Sequence, residues 1–208
     1  MARGTAYIIG AGDFCGLGLF PRTGDILIAA DGGYNHLNKA GIQPDLLIGD
    51  MDSIKKVPLC IPRLSYPAKK DDTDMALCLD VALRLGYRRF KLYGALGGRM
   101  DHSLANLQLL ADLAKKGHQA RIIDHNAIVY AVYNGSLALP PLESGRTVSV
   151  FSWGDRADGV TLKGLTYALK DATLTNTKPL GVSNEARGKP INISVDSGIL
   201  IVVVKSRP

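Results

Sequence analysis

The first 125 residues alternate short apolar runs with segments of helical periodicity. Short continuous apolar runs bounded by polar residues are typical of strands buried on both faces, as in parallel sheets. Leucine and alanine recur at helical spacing in two longer segments, which predicts helices over 73–85 and 101–116, and a weaker pattern predicts a helix over 33–39. Alternating strands and helices predict a parallel sheet with helices on both faces. The predicted strands are 6–9, 26–30, 46–48, 63–66, 90–93 and 120–123.

From about residue 126 the pattern changes to strand-like segments separated by turn signals such as Asn134-Gly135 and Ser197-Gly198. No useful length of helical periodicity remains, which is typical of an all-β sandwich or barrel. The sequence therefore predicts an α/β protein with two domains: a parallel-sheet, three-layer α/β domain over 1–125 and an all-β sandwich over 126–208. The strands predicted in the second domain are 127–133, 147–151, 159–162, 165–169, 191–195 and 199–204.

Composition narrows the class of protein. The chain has 208 residues, 46% hydrophobic and 21% charged, which are ordinary values for a globular protein. No apolar run approaches the ~20 residues of a membrane-spanning helix, and an acidic residue, Asp13, comes too early for a signal peptide. The three cysteines, Cys15, Cys60 and Cys78, are widely spaced and match neither a zinc pattern nor a disulfide framework. We therefore expect a soluble cytoplasmic protein with no membrane association.

The net charge of +6 raises the question of nucleic-acid binding. Each predicted domain carries a balance of +3, because 16 Lys and Arg face 13 acids in the first and 9 face 6 in the second. Nucleic-acid-binding proteins usually concentrate their positive charge on one face, and single-strand binders need aromatic side chains, which are only 6% here. An anionic small molecule suits this mild, even charge better than nucleic acid does.

Polar segments rich in carboxylates follow four of the predicted strands, three of them directly and segment 69–74 after a short turn. Open α/β sheets bind ligands outside the carboxyl ends of their strands, and parallel strands bring those ends to one edge. The four segments are 31–33, 49–53, 69–74 and 94–101. They deliver seven carboxylates and two cations to the same edge: Asp31, Asp50, Asp52, Asp71, Asp72, Asp74 and Asp101, with Lys70 and Arg99.

Asp50-Met51-Asp52 is the sharpest element of this edge. In an extended segment residues i and i+2 project to the same side, so the two carboxylates converge and repel unless a cation lies between them. A bare Asp-x-Asp in a loop is more often a solvated acidic turn. Its position directly after a buried strand favours a metal site, and ligation by oxygen alone favours Mg²⁺.

The next two segments lie at helix N-termini. Thr73 and Asp74 suit the cap and first turn of the predicted helix, but three Asp around one Thr exceed what capping needs. Lys70 beside them offers a charge that would neutralise phosphate, and the helix amides favour an anion.

The glycine-rich segment 94–99 matches neither a Walker A sequence nor a dinucleotide fingerprint. Its Arg99 could bind a phosphate, and Asp101 either caps a helix or binds a ribose hydroxyl. His102 is either structural or a base. In the second half, segment 181–185 is polar and is interpreted as a turn.

Five motifs in order resemble those of the thiamine pyrophosphokinase family, over roughly residues 5–204. They are Asp31-Gly32-Gly33; Gly49-Asp50-Met51-Asp52-Ser53; Lys70-Asp71-x-Thr73-Asp74; Gly97-Gly98-Arg99-x-Asp101-His102 with Ala105-Asn106; and Ser183-Asn184-Glu185. The resemblance implies an α/β domain followed by a β-sandwich. It also implies transfer of a diphosphate group from ATP to the hydroxyl of thiamine, with release of AMP.

The resemblance further implies roles for individual residues. Asp50, Asp52 and Asp71 would hold Mg²⁺, with Asp74 acting through water, and with Lys70 the first three form the catalytic set. The implied nucleotide-binding residues are Asp31, Gly32, Thr73, Arg99, Asp101 and His102, and Ser183 and Asn184 would lie near thiamine. A homodimer is implied, with thiamine between the α/β domain of one subunit and the β domain of the other. No aromatic lies between Lys170 and Gly181, so the ring that stacks on thiamine is left open.

Two alternatives remain beside this hypothesis. One is another Mg-nucleotide-dependent phosphotransferase that acts on a small alcohol. The other is a non-catalytic nucleotide-binding regulator, which the intact set of Asp50, Asp52 and Asp71 disfavours.

Overall fold

The computed structural model describes residues 4–54, 58–67 and 72–206. The chain forms two compact units. The first unit comprises Met1–Leu109 with His118–His125, and the second comprises Leu110–Gly117 with Asn126–Pro208. The cysteines Cys15, Cys60 and Cys78 are free, and no helix of the described residues is long and apolar enough to span a membrane.

The sheet of the first unit is parallel, as the sequence predicts. Its strands lie in the order β6-β5-β1-β2-β3-β4, and every neighbouring pair is parallel. The strands are β1 (Ala6–Ile9), β2 (Ile26–Ala30), β3 (Leu46–Gly49), β4 (Arg63–Ser65), β5 (Arg89–Tyr93) and β6 (Gln119–Ile123). Strand β1 is followed along the chain by its neighbour β2 on one side, and β5, which pairs with β1 on the other side, is followed by β6. The direction in which successive strands are added to the sheet therefore reverses between β1 and β5. That is where open α/β sheets leave a crevice at the carboxyl ends of their strands.

The helices match their predicted positions within one residue at each end. They are α1 (Gly33–Lys39), α2 (Asp74–Arg84) and α3 (Met100–Lys115). Thr73 caps α2, since its hydroxyl accepts a hydrogen bond from the Ala76 amide at 3.2 Å, and Gly86, with φ of 91°, follows its end. One face of the sheet packs its apolar side chains against Tyr34 and Leu37 of α1. This burial holds α1 beside the carboxyl end of β2.

Among its described residues, the second unit contains six strands that pair in antiparallel fashion. They are β7 (Ala127–Leu139), β8 (Thr147–Ser152), β9 (Arg156–Lys163), β10 (Leu169–Thr175), β11 (Gly181–Glu185) and β12 (Ile191–Lys205). The long strand β12 pairs with β7 along its length, with β9 through its first half and with β8 through its second half. Valine, leucine and isoleucine side chains form the apolar core of this unit. The protein is thus a mixed α/β protein.

Four predictions for the second half were wrong in detail. Asn134-Gly135, predicted as a turn, lies inside β7 (Ala127–Leu139). Strand β12 is continuous where a turn was predicted at Ser197-Gly198. The strand accommodates the glycine by a shift in its pairing register with β7, and the Gly198 amide donates to Asn134 Oδ1 at 2.9 Å. The predicted strand over 165–169 is mostly a connection between β9 and β10, while β11 was interpreted as a turn. The polar residues of β11 do not alternate with apolar ones, so the sequence pattern does not indicate a strand there.

Candidate active site

Three carboxylates of the first unit meet at the carboxyl ends of two adjacent parallel strands. Asp31 directly follows β2, while Asp50 and Asp52 follow β3. One carboxylate oxygen from each residue lies within 4.8 Å of the others. Asp31 is buried, Asp50 is half-buried and Asp52 is exposed, so the group extends from the protein interior to the surface. The sequence predicted that these residues share an edge but assigned Asp31 to the nucleotide rather than to this group.

Asp31 is held in place by its backbone. Its amide donates to the Ile48 carbonyl at 2.8 Å, which continues the pairing of β2 with β3 past the end of the strand. Its φ of 41° is in the left-handed region, which is uncommon for a residue other than glycine. Gly49 packs so closely that a Cβ built there would lie 2.7 Å from the Asp31 Cβ. A side chain at position 49 would therefore displace Asp31.

The buried carboxylate of Asp31 is incompletely satisfied. Asp31 is only 7% exposed, and its Oδ1 has no hydrogen-bond partner among the described residues. Burial raises the pKa of Asp31, the neighbouring Ser53 side chain and the Gly32 backbone offset part of this, and the charges of Asp74 and Asp50 raise it further. An unpaired buried oxygen beside two other carboxylates is the donor set that a hard divalent cation fits.

The loop that carries Asp50 and Asp52 is fastened to α1. The Asn35 side chain of α1 donates to the Ser53 carbonyl at 2.9 Å. Ser53 in turn donates its hydroxyl to Asp52 Oδ1 at 2.8 Å, and the Asp52 amide donates to Asp50 Oδ1 at 3.3 Å. Sequence reasoning missed Asn35, and no local motif marks it, because its partner lies 18 residues further along the chain.

The start of α2 contributes charge to the same place. Thr73, predicted to bind nucleotide, is the N-cap of α2, and Asp74 occupies the first turn. Asp74 acts electrostatically on Asp31 but is not one of the three grouped carboxylates. Two predicted catalytic residues, Lys70 and Asp71, lie outside the described residues.

The glycine-rich segment packs against the loop that follows β1. The Gly12 amide donates to the Gly94 carbonyl at 2.8 Å, and a Cβ on Gly12 would lie 2.3 Å from the Leu96 carbonyl oxygen. From below, buried Asn106 of α3 donates to the Ala95 carbonyl at 2.7 Å. A Cβ on Gly94 would lie 2.2 Å from the Gly10 carbonyl oxygen, so Gly12 and Gly94 are required for close packing between the two loops. Their sequence pattern does not reveal this cause.

Arg99 and Asp101 bind each other in the structure. Arg99 Nε lies 3.1 Å from Asp101 Oδ1, and both residues are exposed. The guanidinium of Arg99 holds the pKa of Asp101 below its usual range. His102 is also exposed and lies in the first turns of α3. The predicted phosphate-binding and ribose-binding residues thus form an ion pair that a nucleotide would have to open or displace.

The predicted substrate residues of the second unit face in opposite directions. Ser183 is exposed, with φ of 56°, whereas Asn184 is only 3% exposed. The Asn184 side chain binds the backbone of Tyr167, a residue that is 67% exposed. The structure therefore exposes both Ser183 and Tyr167, whereas Asn184, which binds the Tyr167 backbone, is turned inward.

The chain is similar to known proteins over most of its length. The family model for the thiamin pyrophosphokinase catalytic domain matches residues 20–122, and the model for the thiamin pyrophosphokinase vitamin B1 binding domain matches residues 136–200. Thiamine pyrophosphokinase of Bacillus subtilis is 33% identical over 182 residues, which are 85% of each chain. The chain belongs to the thiamin pyrophosphokinase family.

Solved structures of the family share the fold. The crystal structure of thiamine pyrophosphokinase from Bacillus subtilis is 29% identical, with a TM-score of 0.88 over 99% of this chain and 100% of that one. The structure of thiamin pyrophosphokinase from Geobacillus thermodenitrificans is 26% identical, with a TM-score of 0.83 over 98% of each chain. This likeness agrees with the mixed α/β architecture described above.

The two thiamin pyrophosphokinase models divide the candidate residues between them. The catalytic-domain model includes Asp31, Asp50 and Asp52, and the vitamin B1 binding model includes Tyr167 and Ser183. The carboxylate group thus lies in the part of the chain matched by the catalytic-domain model, whereas Tyr167 and Ser183 lie in the part matched by the vitamin B1 binding model.

Proposed function

We propose that the carboxylate group of Asp31, Asp50 and Asp52 is the metal centre at which this enzyme makes thiamine diphosphate from ATP and thiamine. The observation that carries the proposal is the unpaired, buried Oδ1 of Asp31 within 4.8 Å of oxygens from Asp50 and Asp52. Three like charges this close are unfavourable in the free protein. A site that retains them is suited to a cation that arrives with the substrate.

The donor set fits Mg²⁺, since all three ligating groups are carboxylate oxygens. Asp31, Asp50 and Asp52 would hold the ion, and we propose that Asp71 and Asp74 also contribute to its coordination, Asp74 through water. When bound, the ion neutralises the charge of the transferred phosphates.

The catalytic set in this proposal is Asp50, Asp52, Asp71 and Lys70. The thiamine hydroxyl oxygen forms a bond to the β-phosphorus of ATP, the bond from that phosphorus to the oxygen bridging the α-phosphate breaks, and AMP leaves. The hydroxyl proton passes to a carboxylate of the site. Lys70 neutralises negative charge on the phosphates during transfer.

Binding of the nucleotide is proposed for residues around the same edge: Asp31, Gly32, Thr73, Arg99, Asp101 and His102. The α2 N-terminus, capped by Thr73, presents backbone amides that favour an anion. Arg99 would exchange its bond with Asp101 for one with phosphate, leaving Asp101 for a ribose hydroxyl. The exposure of both side chains supports this exchange.

Binding of thiamine is proposed for the second unit. The exposed hydroxyl of Ser183 and the exposed ring of Tyr167 suit a heteroaromatic cation, which the face of an aromatic ring attracts. Asn184 follows Ser183 in the chain and is buried. We further propose a three-layer α/β domain over 1–125 for ATP and Mg²⁺ and a β-sandwich over 126–208 for thiamine and dimerisation.

A homodimer completes the proposal, with the active site at the subunit interface. Leu180 and Val182, beside Ser183, are 53% and 41% exposed, which supports an apolar contact surface there. Light scattering coupled to size-exclusion chromatography should give twice the 22.2 kDa mass of the chain. A monomer that turns over at the full rate would contradict the interfacial site.

The test of function is a product assay with ATP, MgCl₂ and thiamine, resolved by ion exchange with each component omitted in turn. AMP and thiamine diphosphate should appear together and only in the complete mixture. ADP in place of AMP would indicate a single-phosphoryl transferase, and tight ATP binding without turnover would indicate the regulator.

A further inference from the structure

Asn184 is one of few polar side chains buried among the described residues, and it belongs to a motif that resemblance assigns to the substrate. The carboxamide oxygen accepts hydrogen bonds from the amides of Tyr167 and Glu185, both at 2.9 Å. The carboxamide nitrogen donates to the Tyr167 carbonyl at 2.6 Å. Two acceptor positions and one donor position are therefore occupied inside the protein, which leaves little of this side chain for a ligand.

The contacts with Tyr167 have the form of strand pairing. The Asn184 carboxamide accepts a hydrogen bond from the N–H of Tyr167 and donates one to the C=O of Tyr167, as the peptide group of a neighbouring strand would. The backbone continues this pairing on one side: the Thr166 amide donates to the Glu185 carbonyl at 2.8 Å, and Leu165 forms a bridge with Ala186. The Asn184 side chain thus extends an antiparallel ladder by one residue.

An irregularity in β11 turns Asn184 inward. The pairing of β11 with β8 shifts register between Gly181 and Asn184, and Ser183 has φ of 56°. The Ser183 amide donates to the Ser149 hydroxyl at 3.0 Å, which holds this conformation. As a result Val182 and Ser183 are both exposed and the next residue is buried, whereas a regular strand would alternate.

We propose that Asn184 is a positioning residue: its carboxamide fixes the backbone of Tyr167 so that the exposed ring stands beside Ser183, and it does not itself contact the substrate. This inference rests on the proposed function only for the role of the ring. The anchor beneath the segment is buried Leu165, 2% exposed, while Tyr167 two residues later is 67% exposed. Between them the segment turns from core to surface, and the Asn184 carboxamide holds that turn.

The first arm of the test measures amide exchange by NMR on the free enzyme, without substrate. Asn184→Ala should speed exchange of the Tyr167 and Glu185 amides by about tenfold or more, because both lose their acceptor. Asn184→Asp keeps the acceptor but loses the donor to the Tyr167 carbonyl. Because its second oxygen faces the Tyr167 carbonyl in place of a donor, the Tyr167 amide should exchange faster while the Glu185 amide stays protected. This variant serves if the alanine variant does not fold, and unchanged exchange of the Tyr167 amide in it would contradict the proposal. Asn176→Ala, an exposed asparagine of the same unit, is the matched control and should change neither amide. Unchanged exchange in Asn184→Ala would overturn the proposal.

The second arm is a double-mutant cycle on steady-state kinetics. Asn184→Ala and Tyr167→Ala should each raise KM for thiamine by about tenfold, with kcat and KM for ATP within about twofold of the unmodified enzyme. The double variant should be no worse than Tyr167→Ala, because the carboxamide acts only through Tyr167. Losses that multiply would mean that Asn184 contacts thiamine directly and would overturn the proposal. If the enzyme makes no thiamine diphosphate at all, the proposed function fails, and the exchange arm still decides whether Asn184 holds Tyr167.

Discussion

The carboxylate group of the first unit and the Asn184 contact of the second unit treat buried polar atoms in opposite ways. Asp31 keeps an unpaired oxygen inside the protein, next to two like charges. Asn184, equally buried, has its oxygen and nitrogen bonded to backbone. An unpaired buried polar atom has a free-energy cost that a ligand can remove, whereas a fully bonded one stabilises the fold without a ligand. The difference separates a site for a ligand from the scaffold of a site.

The largest effect is expected from removing a charge in the carboxylate group. Asp52→Asn should lower kcat by about 100-fold or more, because an amide cannot neutralise a cation between phosphates. The measurement is initial rate of thiamine diphosphate formation over a range of MgCl₂ concentrations. Asp80→Asn is the matched control, since Asp80 pairs with Arg84 on the surface of α2 and should leave the rate unchanged. Full activity of Asp52→Asn at ordinary MgCl₂ would remove Asp52 from the site.

A smaller effect is expected from a buried carboxamide in the first unit. Asn106→Leu removes the donor to the Ala95 carbonyl and leaves that oxygen unsatisfied under the glycine-rich segment. We expect the free energy of unfolding to fall by about 1–3 kcal/mol, measured by urea denaturation. Gln108→Leu, on the exposed face of the same helix, is the control and should change stability little. An unchanged unfolding free energy for Asn106→Leu would mean that the Ala95 carbonyl finds another donor.

In the absence of metal, Asp31→Asn should raise the free energy of unfolding. The increase should be smaller than the decrease expected for Asn106→Leu. Burial raises the pKa of Asp31, which means that the folded state disfavours the ionised carboxylate. At neutral pH the unmodified protein therefore has a free-energy cost of folding that the neutral amide of the variant removes. The melting temperatures of the two proteins in EDTA should converge as pH falls through the raised pKa, where the carboxyl becomes neutral. Added MgCl₂ should raise the melting temperature of the unmodified chain only. A variant that is less stable at neutral pH would show that Asp31 has a structural partner.

The smallest effect is expected at the exposed ion pair of Arg99 and Asp101. Arg99→Gln should leave thermal stability unchanged, because exposed ion pairs contribute little. If Arg99 exchanges Asp101 for phosphate, KM for ATP should rise about threefold to tenfold while KM for thiamine stays the same. Isothermal titration with ATP and MgCl₂ gives an independent measure. An unchanged affinity for ATP would leave Arg99 without a nucleotide role.

Local patterns predicted much of the first unit and less of the second. The α2 and α3 boundaries followed from leucine spacing and capping residues, and most of the buried strands followed from continuous apolar runs. Strand β4 was predicted to be buried as well, but all three of its residues are exposed at the edge of the sheet. In the second unit β11 was missed because Ser183 and Asn184 replace the apolar alternation, and β12 was divided in two because Gly198 imitates a turn. Strand pairing over long sequence distances overrides such local signals.

The order of residues alone was enough to place Asp31, Asp50 and Asp52 at the same edge of the sheet, because parallel strands align their carboxyl ends and these residues follow β2 and β3. It was also enough to pair Asp50 with Asp52, since two residues apart is a local relation. Only the tertiary structure brought Asp31 into that pair, because the pairing of β2 with β3 sets the distance between residues nineteen positions apart. It alone turned Asn184 inward as well. The direction of that side chain depends on a register shift against β8, which no local pattern records.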